Sequence, residues 1–154
     1  GMLSNQRLNA LVKTVDDFSI QELNGLKHTI DELRRGDTGA VWELEGAAIL
    51  KKQGNNILEL NEEFKLTQIR DVEKWNGDVT ILRNQKKTLY EMKGWDWSDT
   101  TINAKQVEQI IKQDGYMREL KQTGQINDYM FGFRVDPPAN IQAKLSGIPW
   151  EVPV

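Results

Sequence analysis

Two carboxylates and one amine, Asp78, Glu91 and Lys93, stand near the two ends of the stretch GDVTILRNQKKTLYEMKG, Gly77 to Gly94. Carboxylate oxygens are the ligands that hard divalent cations prefer. An ammonium beside such a cation can orient or deprotonate a water and offset negative charge that develops during a reaction. The three residue types suit metal-assisted hydrolysis, provided the fold brings them together. Two further acids, Glu43 and Glu45, lie inside the apolar stretch WELEGAAIL. A carboxylate there is costly unless it is paired or bound to a cation.

The stretch reads as two strands joined by a tight turn. A turn at Gln85–Lys86, or over Asn84 to Lys87, sets Arg83 opposite Thr88, Thr80 opposite Glu91 and Asp78 opposite Lys93. Side chains alternate between faces, so Asp78, Thr80, Leu82, Leu89, Glu91 and Lys93 share one face. Val79, Ile81, Tyr90 and Met92 share the other, which is apolar and must pack on a core. Diagonal neighbours across strands lie roughly 7–8 Å apart, close enough for two carboxylates to meet on one ion. A loop one residue longer or shorter would send Asp78 to the other face. An acid-x-Lys triplet alone carries little information, since chance supplies about two in a chain of this composition. The sequence holds Glu63–Lys65, Glu91–Lys93 and Glu119–Lys121, and only the middle one pairs with a preceding Gly-Asp start. The competing reading of the trio is a set of solvated charges on an exposed hairpin.

Other elements must hold this ribbon in place. Residues 3–35 read as helical, with Ser19 and Glu22 at the spacing of a capping box and Gly36 as a stop. A second helix, roughly Gly39 to Gln53, is apolar nearly all round and ends at Gly54. NILEL and EFKLTQI read as strands, and WDWSDT as a loop. Ser98 or Asp99 would cap a helix from about Thr101 to Gln122, open to interruption at Asp114–Gly115. DYMFGFRV alternates as a strand, Pro137 and Pro138 stop it, and a short helix through Leu145 precedes a Pro-rich tail. The order predicts an α/β fold with a mixed sheet. Residues 1–37 form an N-terminal helical extension and 38–154 a single compact unit.

Composition narrows the chemistry. The 154 residues are 38% hydrophobic and 28% charged, which is globular, and the formal net charge of −3 argues against coating in nucleic acid through bulk charge. With no cysteine and one histidine, His28, thiolate and imidazole zinc sites are excluded, leaving oxygen ligands and Mg²⁺, Mn²⁺ or Ca²⁺. His28 falls on the polar side of its helix, as a surface residue. No apolar run approaches about 18 residues, so no membrane insertion is expected and a cytoplasmic location is.

Asp78 opening one strand and Glu91-Met92-Lys93 on the next resemble the motif of the PD-(D/E)XK nuclease superfamily, with Gly77 where Pro is commonest. That family has the restriction-endonuclease-like core: helix, three-strand meander, helix, strand. WELEGAAILKKQG is similar to the segment that supplies an extra Glu in Holliday-junction-resolvase-like members. Glu43 fits that role best by its distance to Leu50 and Gly54, with Glu45 as the alternative. No Gln-x-x-x-Tyr follows in the next helix, a departure from the branch that carries one. The resemblance implies that Asp78 and Glu91 ligate Mg²⁺ or Mn²⁺, with the Met92 carbonyl and a helix Glu completing the shell and Lys93 serving the water. Gln106, Gln109 and Lys112 would touch the phosphate backbone, as would Lys51 and Lys52, with Lys65, Arg70, Lys74, Lys86 and Lys87 as further cations. Trp95 and Trp97 would stack on bases or wedge a duplex. The function implied is a metal-dependent endonuclease acting on DNA ahead of RNA, compatible with a homodimer. The alternatives are an RNA- or tRNA-cleaving bacterial toxin domain with an immunity protein, and a non-catalytic nucleic-acid-binding member of the fold.

Overall fold

Val79, Ile81, Tyr90 and Met92 alternate along the hairpin, and all four are buried, as the apolar face requires. The computed structural model describes residues 3–68 and 71–154, so the candidate cation Arg70 lies outside the described residues. Three helices come first: α1 (Asn5–Ile20), α2 (Leu26–Arg34) and α3 (Thr38–Lys52). Five strands follow: β1 (Asn56–Leu60), β2 (Glu63–Lys65), β3 (Lys74–Asn76), β4 (Val79–Arg83) and β5 (Lys86–Lys93). The chain ends with α4 (Asn103–Gln122), β6 (Asp128–Phe133), α5 (Ala139–Lys144) and β7 (Trp150–Glu151). The main sheet has the order β1-β4-β5-β6-β7. β1, β4 and β5 are antiparallel neighbours, while β6 and β7 join in parallel after the α4 crossover. β2 and β3 form a separate two-stranded ribbon inserted between β1 and β4.

The sheet is covered on both faces. Val79, Ile81, Tyr90 and Met92 pack with Leu44, Ala47 and Leu50 of α3, with Leu11 and Phe18 of α1 and Leu26 of α2, and with Leu23 between those two helices. The extension thus shares a core with the segment that follows it. On the other face Leu89, Phe131 and Phe133 meet Val107, Ile110, Met117 and Leu120 of α4. The fold is mixed α/β, as the element order predicts. Among the described residues no helix is long and apolar enough to cross a membrane.

The hairpin register differs from the expected one by two residues. The turn is Asn84–Gln85, both left-handed at φ 48° and 65°, and Arg83 pairs with Lys86. This is the backbone of the tight turn that matches strand twist, and Asn tolerates its first position. Thr80 therefore faces Leu89 rather than Glu91, and extending the pairing brings Asp78 level with Glu91 rather than Lys93. An even shift leaves every side chain on its expected face. Gln85 has no such tolerance, so Gln85→Gly is expected to stabilise the protein by about 0.5–1 kcal/mol, read as a raised midpoint in chemical denaturation.

Tertiary packing overrides several local signals. Ser19 lies in the last turn of α1 and caps nothing; the chain turns at Glu22 and Gly25 so that Leu23 and Leu26 reach the core. Gly25 is obligatory, since a Cβ there would collide with the Leu60 carbonyl oxygen and its φ is left-handed. Neither Ser98 nor Asp99 caps α4: Asp96 and Asp99 accept from Ser98 and Thr101 in the loop, and α4 begins only at Asn103. Gly115 does not interrupt α4, because Asp114 is buried and fixed by the Tyr129 hydroxyl and Arg118. Among the described residues of EFKLTQI, which exclude Ile69, Glu63–Lys65 form a strand, and the Pro-rich tail supplies the unexpected β7.

Candidate active site

Gly77 leads the chain into the site. Its N–H donates to the Glu62 carbonyl at 2.9 Å, a bond that Pro could not make, and a Cβ would press on Leu89. This accounts for Gly-Asp where the resembled motif prefers Pro-Asp. Asp78 then sits just before β4, and its Oδ2 accepts the Met92 N–H at 2.7 Å. A strand residue's N–H and C=O leave from the same edge, so the Met92 carbonyl also projects toward the Asp78 side.

Glu91 and Lys93 are not solvated charges. They are 4% and 8% exposed, and the Lys93 ammonium donates to Glu91 Oε2 at 3.2 Å. Both faces of β5 are roofed by helices, which removes the exposed-hairpin reading. Glu91 Oε1 is buried with no hydrogen-bond partner. The Lys93 ammonium also lies 5.3 Å over the Trp95 ring. From α3 comes Glu43, 7% exposed. All four residues line one cavity of about 720 Å³ at the end of the sheet, walled by the N-terminal part of α3 and by α4.

The electrostatics are those of acids crowded together. Burial, then the charge and hydrogen bond of Asp78, push the Glu43 carboxyl up to about 10, with Glu32 and Glu91 adding to it. Burial and then Asp78 raise Glu91 well above the usual carboxylate range, against the opposing pull of Lys93. Glu32 is raised by burial and by a hydrogen bond with Asp37. Asp78 is thus the shared influence, raising both Glu43 and Glu91. Among the described residues no three His, Cys, Asp or Glu side chains already close on a single point as ion ligands would. The donor types are nonetheless those a hard cation takes, all of them oxygen, and the buried Glu91 Oε1 is unmatched.

The remaining candidates divide sharply. Glu45 is engaged by Arg7, whose Nη2 lies 2.6 Å from its Oε1, and it does not line the cavity. Of the two α3 acids, Glu43 faces the cavity with Asp78 and Glu45 faces α1. Lys51 and Lys52 are exposed at the far end of α3, with Lys51 laid over Phe18, and neither lines the cavity. Trp97 is 5% exposed, donates from Nε1 to the Val135 carbonyl and packs edge-on against Phe133. It is a core residue and is not placed to stack on a base. Trp95 does line the cavity, as does Gln109. Gln106 and Lys112 lie elsewhere on α4, and Lys87 is held by Glu62 at 2.6 Å. Lys65, Lys74 and Lys86 are outside the cavity lining, with Lys74 beside Glu63. His28 is a surface group whose Nε2 lies 3.0 Å from Glu32.

Sequence reasoning missed Glu32, Trp75, Gln113 and Arg134 in the lining. Gln113 was findable, since it follows Gln109 by one helical turn on the same face. The others come from separate elements that only the folded sheet brings together. Compared with protein-family models, with curated proteins and with solved structures, the chain matches none of them.

Proposed function

We propose that the chain is a divalent-cation-dependent nuclease of the PD-(D/E)XK type, acting on DNA. In support, α3, the β1-β4-β5 meander, α4 and β6 follow the order helix, meander, helix, strand, with the β2–β3 ribbon as an insertion. The observation that carries the reading is the buried, unpartnered Glu91 Oε1, set in one cavity with Asp78, Glu43 and the Lys93 ammonium. A buried carboxylate oxygen without a donor is costly, and a cation is the partner this donor set would accept.

Asp78, Glu91 and Glu43 would hold Mg²⁺ or Mn²⁺, with the Met92 carbonyl as a further oxygen. Bound there, the ion would polarise a phosphate oxygen and acidify water. Glu91 Oε2 holds the Lys93 ammonium in place, so that Lys93 can orient the attacking water and meet charge growing on the phosphate. Roofing by α3 and α4 keeps these groups in a partly desolvated site, where fixed charges act more strongly.

The test is cleavage of supercoiled plasmid, single-stranded DNA and tRNA with Mg²⁺, with Mn²⁺ and with EDTA. Cleavage that depends on the ion and stops in EDTA is expected. Equal rates in excess EDTA, or intact substrates under every ion, would sink the proposal; cleavage confined to tRNA would move the substrate to RNA.

A further inference from the structure

The cavity lining carries groups that cation chemistry does not use. Trp75, Trp95, Gln109, Gln113 and Arg134 all belong to it. Trp75 and Trp95 are half-buried and each packs against another aromatic ring, Trp75 against Tyr116 at 5.5 Å and Trp95 edge-on against Trp97 at 5.5 Å, with the Lys93 ammonium over one face of Trp95. Gln113, one helical turn before Tyr116 on α4, lines the same cavity. The Gln113 Oε1 is buried and has no partner. Arg134 is exposed and lines the cavity, and its backbone N–H donates to the Lys93 carbonyl.

Indole rings offer flat apolar surface, an unmatched amide offers directional hydrogen bonding, and a guanidinium offers a phosphate contact. Together these are the groups that recognise a nucleobase and its phosphate. A cavity of about 720 Å³ has room for a base as well as a phosphate. Inside a duplex a base shows neither its ring face nor its pairing edge, so such a wall can be used only by an unstacked nucleotide.

We propose that Trp75, Trp95 and Gln113 form a subsite for an unpaired base, with Arg134 on its phosphate, so that the substrate is single-stranded nucleic acid or a frayed strand end. This rests on the nuclease reading and specifies the form of strand the same cavity takes. The net charge of −3 leaves little bulk attraction for phosphates, so binding that tracks bases is separable from binding that tracks charge.

The experiment is fluorescence anisotropy in EDTA, with a labelled strand of about 12 nucleotides as the probe. It is compared with the same sequence as a duplex and with a strand of equal length made largely abasic. The single strand is expected to bind at least about tenfold more tightly than either. Trp75→Ala is expected to weaken it by about five- to a hundredfold. Gln113→Leu, which keeps side-chain volume and so guards against misfolding at Trp75, should weaken it by about threefold or more. Equal binding of the normal and abasic strands, or no preference over duplex, would overturn the subsite, as would wild-type affinity in both variants. The two proposals fail differently. Ion-dependent cleavage without strand preference removes the subsite alone, whereas selective strand binding without cleavage under any ion removes the nuclease reading alone.

Discussion

Replacing Lys93 by Met is expected to cut the rate of ion-dependent phosphodiester cleavage by about 10²–10⁴, the usual cost of losing one positioned proton-transfer group or transition-state charge. The substitution suits the site. Met keeps the length of the buried side chain and its contact with the Trp95 ring, so packing loss should be small. Without the ammonium, Glu91 loses the one interaction that favours its charged form, and burial and Asp78 then act on it unopposed. The protein should therefore fold, with Glu91 protonated until a cation arrives. Mn²⁺ titrations on the variant should still show binding, because Lys93 is not a ligand. Glu91→Gln should behave oppositely in that assay and lose most of its affinity for the ion. Retention of cleavage within about threefold in Lys93→Met would place the reacting water elsewhere and overturn the mechanism.

The parts of this site that the sequence made legible were those governed by alternation. Asp78, Glu91 and Lys93 could be placed on one face because strand periodicity is strict, and moving the turn by one residue cost nothing because it shifted the pairing register by two. What alternation could not give was depth. Glu91 and Lys93 looked like candidates for solvent because nothing in GDVTILRNQKKTLYEMKG says that β6 and α4 will close over that face. Glu43 and Glu45 differ by only two residues on one helix, so a choice between them needed to know that Arg7 of α1 waits on one side and Asp78 on the other. Trp97 looked like Trp95 in sequence, yet its indole N–H is taken by Val135, a residue distant in the chain. Ser19 and Glu22 had the correct spacing for a cap and lost to the burial of Leu23 and Leu26, whose apolar area outweighs one capping bond. The lone pair on Glu91 Oε1 that motivates a cation was invisible without coordinates.

In EDTA the protein is expected to lose stability as the pH rises from about 5 to about 8, the reverse of what ionised, salt-bridged carboxylates produce. Glu43 is raised by burial, then by Asp78, to about 10, far above its ordinary 4.5. Between those two values the folded protein holds a proton that the unfolded chain has released. The resulting stabilisation is complete below the unfolded value and drains away as the pH climbs toward the folded one. One such group supplies a slope of at most about 1.4 kcal/mol per pH unit, or on the order of 4 kcal/mol across that interval. Glu91 and Glu32 are raised as well, and they push in the same direction. Glu43 is only 7% exposed, so solvent does little to screen the effect. Glu43→Gln keeps the shape and removes the titration; it should flatten the slope and gain stability at the alkaline end. Mn²⁺ should do what the proton does, and better at high pH, because ligands must shed their protons to bind it. Urea denaturation in EDTA and in Mn²⁺ at several pH values separates the cases. A stability that climbs with pH in EDTA, or a slope in wild type that Glu43→Gln leaves untouched, would mean that the acids of this cavity do not share a buried field, and with that the case for a cation between them would go.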